Sequence, residues 1–157
     1  MKKTEIKFNI GSLNNLRSEL AAGYKAKVGV IGSQAVRASD TGEFNNAEIG
    51  IVHEMGSEYL GIPARSFLRM PLEMKRKELV MFSRKNGHLI EQGKIKEFFA
   101  LIGIKAEQII QNAFATRGYG QWAANAPATI AAKGSSAPLI DTGELRKSIS
   151  SEVIIAR

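Results

Sequence analysis

The feature that most constrains this chain is a run from Glu91 to about Ala115. In it Ile95, Phe98, Phe99, Ile102, Ala106, Ile109, Ile110 and Ala113 recur at spacings of three and four. Only a helix brings those positions to one face, so the run predicts the longest amphipathic helix of the chain and the centre of its core. Gly93 and Gly103 interrupt it, and each weakens a helix by about 1 kcal/mol relative to alanine. A helix with so wide an apolar face has to be covered. Strict alternation marks the candidates: Ile6, Phe8 and Ile10; then Ala26, Val28 and Val30 in "YKAKVGVIG"; and Ile149, Ser151, Val153 and Ile155 near the end. Strands at both ends with helices between predict an α+β fold. Its expected form is a small antiparallel or mixed sheet of N- and C-terminal strands packed on the long helix. With 157 residues, one domain over 1–157 is expected.

The intervening elements follow from their punctuation. Ser12 is expected to cap a short helix carrying Leu13, Leu16 and Leu20 that ends near Gly23. Residues 32–46 are polar and glycine-containing, and read as a long flexible loop. "NAEIGIVHEMG" predicts a helix from about Asn46 that stops at Gly56. "GIPARSFLRMP" reads as a turn and extended segment, because each proline turns its predecessor away from helix. A charged helix is expected from about Pro71 to Asn86, then irregular chain after "TRGYGQW", then a short helix from Thr142.

Composition removes several function classes. There is no cysteine, hence no disulfide, thiolate metal site or cysteine nucleophile. No apolar stretch approaches the ~20 residues of a membrane span, so no membrane partner is expected. "MKKTEIKFNI" has the charges of a signal peptide without its apolar segment, which leads us to expect no export. Residues 1–60 balance seven Lys/Arg against seven Asp/Glu, while the remainder holds fifteen against eight. The net charge of +7 therefore lies in the later part, where it can face nucleic acid, an acidic protein or water.

The tetrapeptide DTGE occurs twice, at Asp40 and at Asp141, which raises the pairing of two aspartates used by aspartic peptidases. Such an aspartate needs a buried strand leading into it. Asp40 follows Ala38 and Ser39 in a polar loop, and only sixteen residues follow Asp141. We therefore read Asp141 as a helix N-cap with Glu144 as the returning member of a capping box, and Ile140 and Leu145 as its hydrophobic staple. "HEMGS" at His53 lacks the second histidine four residues on that a zinc helix requires. His88, beside a glycine stop, reads as a surface residue. No phosphate-binding glycine loop or hydrolase elbow is present, so no catalytic residue, cofactor or metal site is expected. Lys75, Arg76, Lys77, Arg84 and Lys85 form a basic row that suits non-specific, salt-dependent binding to nucleic acid, although interleaved aromatics are missing.

Three segments taken in order resemble a known family. "EIGIVHEMGSEYLGIPARSFLRMPLE", then Trp122 with "PATIAAKG", then "PLIDTGELRKSI" are similar to the neck or tail-completion proteins of long-tailed bacteriophages, also called virion morphogenesis or minor tail proteins. The match spans residues 47–150, and its order is more specific than any one piece. Met55 stands where an aromatic is usual, and Ser66 where a second proline is common. The resemblance implies a non-enzymatic structural subunit of the virion, made in the host cytoplasm and assembled at the head–tail junction. It implies a ring of copies of itself, a hexamer being one option, in contact with head–tail connector and tail tube or terminator proteins, with non-specific contact to DNA in the channel. On this reading Arg65, Phe67, Arg69 and Trp122 are interface candidates, because arginine and aromatic anchors dominate binding energy. The competing reading has Pro63, Phe67 and Leu68 plug the core beneath a helix.

Overall fold

The computed structural model describes residues 10–32 and 45–155. In order along the chain these are α1 (Ile10–Ala21), β1 (Tyr24–Val30), α2 (Asn46–Met55), α3 (Arg69–Met74), α4 (Arg76–Lys85), α5 (His88–Glu91), α6 (Ile95–Ala115), α7 (Pro127–Lys133), α8 (Glu144–Lys147) and β2 (Ile149–Ile155). The class is α+β. β1 and β2 pair antiparallel, from Tyr24 opposite Ile155 to Val30 opposite Ile149, and α6 packs across both. Lys25, Lys27 and Glu152 are exposed, and Lys27 reaches Glu152 at 3.5 Å. A two-stranded sheet is marginal alone. Here one face is closed by α6.

The core lies where α6 meets the segments that precede and follow it. Phe67, Ile110 and Ala113 are fully buried, joined by Phe114, Trp122, Leu139, Leu145 and Ile149. Phe114 packs between Phe67 at 5.6 Å and Trp122 at 5.5 Å, the second contact edge-to-face, an arrangement aromatic rings favour. The polar side chains of Gln111 and Arg146 lock α8 to α6: the Arg146 Nε donates to Gln111 Oε1 at 2.7 Å, and Gln111 Nε2 donates to the Arg146 carbonyl at 2.9 Å.

Several expectations need correction. Of the alternating segment at residues 5–10 only Ile10 is described, and it begins α1 rather than ending a strand. Ser12 is inside that helix, not at its cap. The helix expected from Pro71 to Asn86 is two, α3 and α4, separated at Lys75. The long helix starts at Ile95 rather than Glu91, because Gly93 at φ +73° ends the separate turn α5. Residues 127–133 form a helix where irregular chain was expected, with Pro127 in its first turn and Gly134 as its left-handed stop. Residues 33–44, most of the expected loop and all of the first DTGE, lie outside the described residues.

Gly103 costs α6 helix propensity and returns proximity. A Cβ there would meet the Ser151 Oγ at 2.7 Å and its Cβ at 2.9 Å, so only glycine lets the helix rest this close to β2. Gly103→Ala should gain ~1 kcal/mol of propensity and lose more to overpacking, about 1–3 kcal/mol. Urea denaturation should show net destabilisation, and the added change Ser151→Gly should relieve it.

Candidate functional site

The segments that carry the family resemblance meet at the C-terminal end of α2. That helix is well begun: the Asn45 side chain accepts from the Glu48 N–H at 2.9 Å, while Glu48 accepts from the Asn45 N–H at 2.8 Å, a complete capping box. It stops at Gly56, whose φ of +77° suits glycine and where a Cβ would fall 2.7 Å from the Ala64 nitrogen. The chain can therefore fold back on itself. Ser57 and Ile62 bond each other through both backbone groups, and the Arg65 N–H donates to the His53 carbonyl at 2.7 Å.

This return sets the turn at residues 66–69 over Glu54. The Glu54 carboxylate accepts from the Ser66 hydroxyl at 2.6 Å and from the backbone N–H groups of Phe67, Leu68 and Arg69 at 2.7, 2.9 and 3.1 Å. The Ser66 Oγ in turn accepts from the Met70 N–H at 2.9 Å. Thus the first donors of α3 are satisfied by side chains, the Arg69 N–H by Glu54 from another helix and the Met70 N–H by Ser66. A proline at position 66 would have no hydroxyl for this role.

Arg65 points inward from the same turn. Its Nε donates to the Ala123 carbonyl at 2.8 Å and its Nη2 to the Ala124 carbonyl at 2.9 Å, and it is only 7% exposed. Trp122 Nε1 closes the link by donating to the Ser66 carbonyl at 3.0 Å. Of the four interface candidates, then, Arg65, Phe67 and Trp122 are buried and join parts of one chain; Arg69 alone is exposed. Of the residues in the core-plug reading, Phe67 is in the core and Leu68 packs partly buried against it, whereas Pro63 is exposed; Arg65→Ala is a change to the fold before it is a probe of any surface.

Beside this clamp is an open cleft of about 700 Å³, to whose wall His53, Arg65, Thr129, Lys133, Asp141 and Glu144 all contribute. The histidine, the PARSFLR turn, the "PATIAAK" helix and the second DTGE segment are thereby brought together. Their chemistry is mostly internal. Lys133 Nζ and Asn125 Nδ2 both donate to the Ala137 carbonyl, at 3.1 and 3.2 Å. His53 is held below its ordinary pKa by burial, then by the Arg65 and Lys133 charges, and its buried Nδ1 has no hydrogen-bond partner. Asp141 is exposed on the wall and does not cap a helix: α8 begins at Glu144, after Gly143 in the left-handed region, so the expected Asp141–Glu144 box is not formed. The Glu144 N–H instead approaches the Thr142 hydroxyl at 3.4 Å. His88 is exposed, as read, and begins α5.

Glu54, which accepts four hydrogen bonds, belongs to the segment that carries the resemblance but was not singled out as a site residue. Its contacts are twelve to fifteen residues away and have no periodic signature. Sequence reasoning did not pick out the Asn45–Glu48 box either, although that spacing was available. Among the described residues no cluster of His, Asp and Glu is arranged to hold a metal.

Two outcomes follow. Glu54→Ala would leave three backbone donors without their charged acceptor and should cost about 3 kcal/mol or more, read as a lowered urea midpoint. For His53, a folded-state pKa below the ordinary 6.5 means that the unfolded chain binds the proton more readily. Its contribution is therefore present above about pH 6.5 and lost as pH falls below it. His53→Gln should flatten the stability profile in that window.

Compared with known proteins, the chain matches no family model, no curated protein and no solved structure.

Proposed function

We propose that the protein is a structural subunit of a long-tailed phage virion, acting at the head–tail junction by assembly rather than catalysis. The observation that carries this reading is an apolar surface next to the clamp. Ile51 and Met55 on the outer side of α2, and Tyr59 and Leu60 in the turn after it, are 64, 73, 97 and 59% exposed. Large exposed apolar side chains gathered on one helix and the turn after it suit a surface that a partner covers. The bridge between Ser57 and Ile62 closes the turn that carries Tyr59 and Leu60.

The resemblance adds support, since the residues that carry it are used here to fix a scaffold. Glu54, Arg65 and Trp122 all bond backbone groups of other segments. On this reading the partners are copies of the chain and the connector, tube or terminator proteins of the virion. A basic nucleic-acid-binding protein is the rival. Lys75 lies over the Tyr119 ring at 4.7 Å, and the remaining cations of the row alternate with exposed Val80 and Met81, a mixture better suited to protein than to phosphate.

The test is electron microscopy of a lysate from a phage or prophage whose copy of this gene carries an early stop codon. Filled heads beside separate tails of normal length are the expected result and assign the protein to joining. Abnormally long tails would assign it to tail termination, and intact infectious virions would overturn the proposal.

A further inference from the structure

Two exposed faces of this chain have the same build with opposite charge. On α2 and the turn after it, Ile51, Met55, Tyr59 and Leu60 are bordered by Glu48 and Glu58, all exposed. On α4, Val80 and Met81 are bordered by Arg76, Lys77, Arg84 and Lys85, also all exposed. Positions 76, 77, 80, 81, 84 and 85 recur at three and four and so share one side of that helix. The acid of α4, Glu78, is not among them: it pairs with Lys105 on α6 at 2.6 Å. Among the described residues none of the four cations pairs with a carboxylate.

The two faces rest on different neighbours. α2 packs on β1 and α8, whereas α4 packs on α3 and α6. We infer that the α2 face of one copy seats on the α4 face of the next. Apolar groups meet at the centre, and Glu48 and Glu58 meet the basic border. Complementary charge around an apolar centre favours this pairing and disfavours either face meeting its own kind, since like charges would oppose. Such a contact is heterologous: each copy offers one face of each type, so addition continues past two copies, to a ring where the rotation per step closes and to a filament where it does not. The inference deepens the proposed assembly role, but it concerns the purified chain alone and is tested without the virion.

The experiment is sedimentation of the wild type and two variants at ~100 µM, where a contact with a Kd of about 10 µM is mostly formed. Variant one is Ile51→Lys with Glu58→Lys; variant two is Arg76→Glu with Lys77→Glu. All four positions are exposed, and acids in the first turn of α4 suit its dipole, so both variants should keep the wild-type circular dichroism and melting temperature. Wild type should exceed the mass of two chains, and each variant alone should be a monomer. An equimolar mixture should give a one-to-one heterodimer and nothing larger, because only one intact α2 face and one intact α4 face remain to meet. A monomeric wild type, a wild type that stops at two chains, variants that assemble normally, or a mixture that stays monomeric would each overturn the inference. Loss of salt-sensitive DNA binding by variant two without any change in mass would also overturn it, and would give the α4 face to nucleic acid.

Discussion

The carboxylate of Glu54 is the constraint on which the rest of this structure depends. It stands at the second-last position of α2, where the helix dipole opposes negative charge by about 0.3–1 kcal/mol. Four hydrogen bonds from residues 66–69 outweigh that opposition, because each bond to a charged acceptor contributes about 1.5–3 kcal/mol. The consequences spread from there. With the turn fixed, Phe67 enters the core against Phe114, Arg65 reaches the carbonyls of Ala123 and Ala124, and Trp122 can bond the Ser66 carbonyl. Segments separated by more than fifty residues become one body through a single acidic side chain and the turn it holds.

What could be read from the sequence was what repeats or punctuates. The apolar spacing from Ile95 to Ala113 gave α6, alternation gave β1 and β2, and Gly56 ended α2 where glycine was expected to. Rules of local chemistry failed where tertiary packing set the backbone. Asp141 has the spacing of a cap, yet Leu139 at φ +59° and Gly143 at φ +81° turn the chain so that α8 starts at Glu144, two residues after the expected Thr142. Packing of Leu139, Ile140 and Leu145 against the core holds that path, and a cap contributing about 1 kcal/mol does not override it. Lys75 likewise carries no breaker in its identity; its place over Tyr119 belongs to a neighbour forty-four positions away.

Arg65 shows why the site was harder to read than the fold. An arginine beside a proline in a turn reads as surface, and the same preference of arginine and aromatics for dense contact makes such residues look like interface anchors. That preference acts inward here, because the irregular chain around Ala123 and Ala124 presents carbonyls that helix and sheet cannot satisfy. A guanidinium with several fixed donors can satisfy two of them at once. The residues that look most like recognition elements therefore hold the scaffold, while Ile51, Met55, Tyr59 and Leu60, which no motif singled out, are exposed.

This division of labour bears on how such a chain meets a partner. Among the described residues the one sheet has two strands and little cross-strand pairing to spare, and its order comes from α6 and from the clamp at Glu54. The turn that carries Tyr59 and Leu60 is closed by the reciprocal bonds of Ser57 and Ile62, so its backbone path is set before any partner arrives. A preset surface loses less conformational freedom on binding than one that must order on contact, and more of the gross contact energy then remains as affinity. Buried polar bonds around the turn and exposed apolar groups beyond it are in this sense one arrangement: the first fixes the geometry that makes the second worth covering.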